Sequence, residues 1–357
     1  MKILDRYILK KLLTTFLFVV FIIVAVIVVI DITEKIGDFT KPEVPMSRIF
    51  QYYMDFIPWI ANLISPITVF IATVFVTARL AGHTEIISML AGGVSFKRLL
   101  IPYFVAAVVI ALVSFYFYGW VIPNANKSRR AFEIEFIEGK YYFTENNFHV
   151  QASPTVYLYL QRYNNTNNVG YRFTMEKIVA DSLKEKLSAN QIEWNDSTKK
   201  WKLKRWQRRV LEDGGEKVTY GEELDSTLVI LPKDFQTQHR LWETLTLPEL
   251  SEKINEIQER GLEGANIYKV EKYFRYTMPF TAFILVFIGV IVSSRKSRGG
   301  TGLQIALGFI ISFIFIIFVI TSRGIAEGGI IPPLIAVWIP NVVFSFVAMF
   351  MYKYVPR

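Results

Sequence analysis

Six stretches of this chain are too apolar to remain in water: Leu12–Ile30, Phe56–Ala78, Leu99–Ile122, Thr277–Val292, Leu303–Thr321 and Leu334–Met351. Their lengths approach the ~20 residues that carry a helix across a bilayer. Leu12–Ile30 contains no charge. It is longer than the apolar core of a signal peptide and ends in Asp31 rather than at a small-residue cleavage site, so it reads as a retained first span. At 52% hydrophobic residues, the chain is a membrane protein with a sizeable polar part.

That polar part lies between spans three and four. Asn124–Glu138 reads as a polar helix leaving the membrane. From Tyr141 to about Phe235 short alternating runs follow, such as Val156-Tyr-Leu-Tyr-Leu and Trp201-Lys-Leu-Lys-Arg-Trp. Turn signals at Asn164-Asn-Thr-Asn-Asn, Asn195-Asp-Ser and Asp213-Gly-Gly separate them. This predicts an antiparallel roll or sandwich with one apolar face, and Tyr157, Tyr159, Trp201 and Leu203 are candidate inward residues. Thr246-Leu-Pro-Glu249 is a capping box opening a helix with Leu250, Ile254 and Ile257 on one face, stopped by Gly261. A polar helix through Glu271 and Arg275 leads into span four. The predicted domains are residues 1–122 (spans one to three), 123–246 (β-domain), 247–272 (amphipathic helices) and 273–357 (spans four to six).

The short loops give an orientation. The N-terminus with Lys2, Arg6, Lys10 and Lys11, the stretch around Arg98, the loop with Arg295, Lys296 and Arg298, and the tail ending in Arg357 are basic. The Asp31–Asp55 loop is acidic on balance. The positive-inside rule then places both termini in the cytoplasm and the β-domain outside it.

Between spans two and three, Arg79–Arg98 is neither hydrocarbon nor linker. Arg79, His83, Glu85, Lys97 and Arg98 keep it out of the bilayer core. Ile86, Ile87, Met89, Leu90 and Val94 recur at helical spacing after Thr84 as a candidate N-cap, and Gly92-Gly93 ends the run. The pattern predicts a short amphipathic helix lying across the membrane face. It suits a groove on a soluble partner, with Glu85 as a charged contact; a plain interfacial turn is the other reading.

Several chemistries are missing. No span core carries an ionisable residue, which disfavours ion-coupled transport and intramembrane catalysis. There is no phosphate-binding G-x-x-x-x-G-K-[ST] loop, so the chain does not hydrolyse ATP alone. His83, His149 and His239 lack metal-ligand spacing, and the absence of cysteine excludes disulfides and thiolate metal sites. Lys35 and Lys41 beyond span one, and Arg323 beyond span five opposite Glu327, are candidate contacts for lipid phosphates, or ordinary interfacial anchors.

The string Glu85-Ile-Ile-Ser-Met89-Leu-Ala91-Gly-Gly93-Val94-Ser95 resembles the coupling segment of the LptF/LptG lipopolysaccharide-export permeases. Asp5-Arg6-Tyr7-Ile8, the Leu247–Gly261 helix, Glu271 with Pro279, and Gly328 through Asn341 with Pro332 and Trp338-Ile-Pro-Asn resemble other parts of that family. The resemblance implies a 3+3 arrangement of six spans with an inserted periplasmic antiparallel β jelly-roll-like domain. It implies an inner-membrane permease subunit, paired with a second six-span subunit that is a paralogue or a copy of itself. A cytoplasmic ABC ATPase dimer would dock on Arg79, His83, Glu85, Met89, Gly93, Ser95 and Arg98. ATP and magnesium would belong to that ATPase, and the chain itself would need no cofactor. Lipopolysaccharide would enter sideways into a cavity lined mainly by spans one and five, then pass through the β-domain to periplasmic bridge proteins and the outer membrane. The alternative is a structural membrane anchor whose β-domain is an assembly or receptor module; a membrane glycosyl- or phosphotransferase is disfavoured by the lack of acidic pairs near the spans.

Overall fold

The first apolar run does not stop where its charges begin. In the computed structural model it forms α1, Ile3–Phe39, passing through Asp31, Glu34 and Lys35 without a break. The structure describes residues 3–137, 146–153, 155–164, 167–180, 182–212, 215–228, 230–232, 240–259, 264–294 and 300–353. Arg295, Lys296, Arg298, Arg357, His239 and Gly261 lie outside these residues.

After α1 come α2 (Met46–Leu63), α3 (Ser65–Gly82), α4 (Glu85–Ala91) and α5 (Phe96–Tyr116). Two π turns, Phe117–Val121 and Glu133–Ile137, flank α6, Ile122–Phe132. Strands β1–β6 follow: Asn146–Ser153, Val156–Asn164, Val169–Val179, Ser182–Asn195, Lys200–Glu212 and Gly215–Ser226. The chain closes with α7 (Leu247–Glu259), α8 (Ala265–Ser293), α9 (Gly300–Glu327) and α10 (Pro333–Lys353). Among the described residues, six helical stretches are long and apolar enough to cross a membrane, three before the sheet and three after it.

Three features depart from the sequence reading. The predicted Asp31–Asp55 loop is mostly helix, because Asp31 and Lys35 pair one turn apart and so extend α1. The run Phe56–Ala78 is broken at Ile64, where Ser65-Pro66 restarts the chain: proline costs nothing in a first turn, whose N–H groups are unpaired anyway. Span four has no separate lead-in, since α8 is one helix through Glu271, Arg275 and Pro279.

The chain divides into two compact units, one of Met1–Ile137, Trp242–Leu250 and Asn266–Arg357, the other of Glu138–Leu241 and Ser251–Ala265. In the first, α3 is the hub. Its buried residues include Val69, Ala72, Thr73, Val76, Thr77 and Leu80. It packs against α1 and α9. Gly289 of α8 and Gly308 of α9 permit close approach: a Cβ at Gly289 would lie 2.9 Å from the Thr73 side chain, and one at Gly308 would lie 3.1 Å from Phe70. Small residues at such crossings let helix backbones come together in lipid, where no hydrophobic force separates helix from solvent. α1, by contrast, is almost bare, with Leu17, Phe18, Phe21, Val26 and Val29 exposed.

The second unit holds a single six-stranded antiparallel sheet in sequence order, β1 to β6. One face is apolar and buried: Leu158, Leu160, Phe173, Leu187, Ile192, Trp201 and Leu203 form its core, joined by Leu228 and Ile230. Trp201 donates its indole N–H to the Ile230 carbonyl at 2.7 Å, which satisfies its only polar atom inside that core. Trp201 and Leu203 face inward as expected, but Tyr157 and Tyr159 do not; the strand period of two turns Leu158 and Leu160 in and both tyrosines out. Gly170 sits between two core side chains, where a Cβ would stand 2.8 Å from both Ile192 and Leu160.

Candidate functional site: the short helix between the second and third spans

α4 is built by glycine and local hydrogen bonds rather than by length. Its last turn ends with the Val94 N–H bonded to the Met89 carbonyl at 3.1 Å and Gly93 in the left-handed region at φ 84°, a Schellman-type stop. Ser95 then accepts from the Arg98 backbone N–H at 3.3 Å and starts α5. The other end differs from expectation. Thr84 has φ 60° and makes no cap; its hydroxyl donates to the His83 carbonyl at 2.6 Å instead. A β-branched residue in that region is strained, so the corner between α3 and α4 is held by its surroundings.

Those surroundings come from α1. Ile86 is buried in a cluster with Ile8, Leu12, Leu80, Phe96 and Leu99, and Met89 and Leu90 pack against the same cluster. The Tyr7 hydroxyl donates to Glu85 at 3.1 Å, Lys11 donates to the Tyr7 hydroxyl at 2.8 Å, and the Lys11 ammonium lies 3.9 Å from Glu85. On the other side of α4, Arg98 makes a fork of two 2.7 Å hydrogen bonds to the carboxylate of Asp5. Glu85, Met89 and Arg98 are therefore gathered at the start of α1, while Ser95 is exposed at the start of α5. Arg79 and His83 are exposed at the end of α3, and Gly93 is exposed at the end of α4. The outward face of α4 is Ile87, Ser88 and Ala91, with Ile87 52% exposed. The sequence reading overlooked Asp5, Tyr7 and Lys11 as partners; the signal was a lone acidic residue within a basic lead ahead of an apolar run.

The candidate cations beyond the spans have partners within the chain. Lys35 donates to Asp31 at 2.6 Å and to the Tyr52 hydroxyl at 2.5 Å, with its ammonium 4.9 Å from the Tyr52 ring centre. Tyr53 donates to the second Asp31 oxygen at 2.9 Å. Burial pushes both phenols above their ordinary range, so both keep their protons: Tyr53 donates to Asp31, and Tyr52 accepts from Lys35 while donating to Asp31 at 3.5 Å. Lys41 pairs with Asp38 at 2.7 Å. Arg323 bonds Glu327 at 2.7 Å and Glu271 at 2.8 Å. Glu271 in turn accepts from Arg275 at 2.8 Å, and Arg275 reaches the carbonyls of Leu245 at 2.6 Å and Trp242 at 2.9 Å. Lys35 and Arg323 are thus built into two different clusters. No group of three His, Asp or Glu residues suited to a metal occurs among the described residues.

Six membrane-length helices split three and three around an antiparallel sheet, with α4 at the corner after the second, is the architecture to be matched. A family profile described as Lipopolysaccharide export system permease LptF/LptG matches residues 6–354. The chain belongs to the LptF/LptG family. No curated protein matches it. As an LptF/LptG permease it is a membrane-spanning subunit of the lipopolysaccharide export system, a transporter component rather than a catalytic enzyme. Its multi-pass helices suit the inner membrane.

Proposed function

We propose that this chain is one permease subunit of an ATP-driven exporter that extracts lipopolysaccharide from the inner membrane and passes it to a periplasmic bridge toward the outer membrane. In this reading a separate ABC ATPase dimer, which holds the ATP and magnesium, docks on Ile87, Ser88 and Ala91 and on the flanking Arg79, His83 and Gly93. A second six-span subunit faces the bare sides of α1 and α9. The glycolipid loads between them and leaves along the apolar face of the sheet. Residues 1–122 and 273–357 carry the spans, with both termini cytoplasmic and residues 123–246 periplasmic.

The observation that carries the proposal is the clamp on α4. A helix that only turned the chain would not need the Tyr7 and Lys11 tie to Glu85, the Asp5–Arg98 pair that fastens the next helix and a buried Ile86, whereas a helix that receives a push does. The exposed apolar face of α4 suits a partner groove. The test is retention of the ATPase by the purified complex. Ile87→Glu places a charge at the centre of the contact and should lose the ATPase; Tyr220→Ala, on an exposed strand position, should retain it. An unchanged ATPase content with Ile87→Glu would overturn the docking. Because the chain lacks cysteine, a cysteine placed at Lys199 should react with an impermeant reagent from outside and one at His83 should not.

A further inference from the structure

Away from α4 and from the bare sides of α1 and α9, a groove runs between α5, α8 and α10. Its upper part, about 520 Å3, is lined by Phe104, Phe280, Phe283, Trp338, Phe346 and Met349 among others. Its lower part, about 290 Å3, shares Phe104 and Phe283 and ends at Lys97. The shared residues make the two parts continuous. Along α10, from Trp338 to the level of Tyr352 beside Lys97, the groove runs about 21 Å, roughly two-thirds of a ~30 Å hydrocarbon core.

The polar side chains Asn341 and Ser345 in the lining are already satisfied. Asn341 donates to the Thr277 carbonyl at 3.0 Å and accepts from Thr281 at 3.1 Å, and Ser345 donates to the Asn341 carbonyl at 2.7 Å. The groove therefore offers hydrocarbon contact alone, except at one end. There Lys97 is exposed and pairs with no described carboxylate, while its neighbour Arg98 is consumed by Asp5. The ring of Tyr352, 6.2 Å from Phe96, brings the end of α10 to the same level. A cation that closes one end of a long, narrow apolar slot matches an extended acyl chain with an anionic head.

We propose that this groove holds one acyl chain of an anionic phospholipid from the leaflet on the α4 side, with its headgroup phosphate on Lys97. A transmembrane helix is the other possible occupant, and the rim disfavours it. Helices pack in lipid through small residues, whereas Phe104, Phe280, Phe346 and Met349 make this rim bulky; a flexible chain threads between such side chains. The site is independent of the export path, and it abuts the start of α5, so its lipid would brace the corner that carries α4.

The full chain in nanodiscs tests this, using phospholipids brominated near the chain end and the fluorescence difference between wild type and Trp338→Phe. Trp338 lies at the far end of the groove from Lys97, where the chain tip arrives. Brominated phosphatidylglycerol should quench the Trp338 component at about fivefold lower mole fraction than brominated phosphatidylcholine, the preference set by one lysine at the headgroup level. Lys97→Gln should remove that preference with the melting temperature unchanged. Equal quenching by the two lipids in wild type would mean bulk solvation and overturn the proposal. Absence of quenching by either would mean that protein fills the groove. Relief by added lipopolysaccharide would assign the groove to the export path instead.

Discussion

Arg98 grips Asp5 across 93 positions of sequence with two hydrogen bonds of 2.7 Å. The Asp5 side chain is 4% exposed and the Arg98 side chain 32%. The planar guanidinium matches the carboxylate oxygen for oxygen, which a lysine does not do. This pair joins the first residues of α1 to the first turn of α5, and α4 lies between.

Arg98→Ala should lower the melting temperature, because it takes the two-bonded guanidinium from the buried Asp5 carboxylate; the loss should be smaller than for a fully enclosed pair because Arg98 keeps some water. Lys97→Ala, one residue away and unpaired, should cost far less. Arg98→Lys should recover only part of the loss. Melting of the purified protein measures all three, and a neutral Arg98→Ala would show that the fork is not needed.

The sheet supplies a prediction on export. If lipopolysaccharide slides along the apolar face, a photo-crosslinker on β2 should trap it at Leu158 and Leu160 and spare Tyr157 and Tyr159, following the strand period. The reverse pattern, or uniform labelling, would take the sheet out of the path. Gly170→Val, which drives a side chain into Ile192 and Leu160, should cost about 1–3 kcal/mol and weaken trapping at both leucines together.

The start of α7 should loosen with acid. Glu249 accepts from the Thr246 backbone N–H at 2.7 Å and pairs with Lys127 at 3.0 Å. The Thr246 N–H foremost, with Lys127 behind it, holds the carboxyl below the ordinary glutamate range. A depressed carboxylate pKa stabilises the folded form above the unfolded value, and that stability drains away as pH falls through the folded value. Amide exchange in the first turn of α7 should therefore rise as pH drops below the carboxylate range, after correction for intrinsic rates. Glu249→Gln should exchange faster at neutral pH and respond much less to acid. A wild type with no such pH response would remove the capping box from the account.

Glu271 is the shared acceptor of two arginines on different helices. Glu271→Gln should cost about 3–5 kcal/mol, since it takes the only carboxylate from buried Arg275 among the described contacts and leaves Arg323 with Glu327 alone. The double variant Glu271→Gln with Arg323→Gln should cost less than the two single losses added, because each removes the other's unpaired charge. Additive losses would mean that the residues act separately.

Much of this fold is legible in residue types. Six charge-poor runs, a seven-residue helix between Thr84 and Gly92, and alternation along β2 and β5 follow from hydrophobic spacing. What escapes is set by partners distant in sequence. Asp31 and Lys35 read as a loop because charges end a membrane run, yet two tyrosines of α2 complete their hydrogen bonds and keep the helix going. Glu85 reads as a contact for another protein, and its first partners prove to be Tyr7 and Lys11. Tyr157 and Tyr159 are as good strand residues as the leucines between them, so only the pairing of Val156 with Lys177 and its neighbours decides the face. Arg323 reads as a lipid-phosphate contact or an anchor opposite Glu327, and its tie to Glu271 escapes because that residue lies on another helix.

The length of α1 has a mechanical consequence. Asp5 and Lys35 stand on one unbroken helix, about 45 Å apart, and each is bolted to a different neighbour, α5 through Arg98 and α2 through Asp31, Tyr52 and Tyr53. Between these bolts the shaft stays one unbroken helix, packed along one side on α2, α3 and α5 and bare along the other. A helix loaded at one end and fastened at the other behaves as a connecting rod: a shift delivered beside α4 reaches the aromatic cluster around Lys35 as translation or tilt of the whole shaft. Severing either bolt would leave both ends folded and the stroke between them lost.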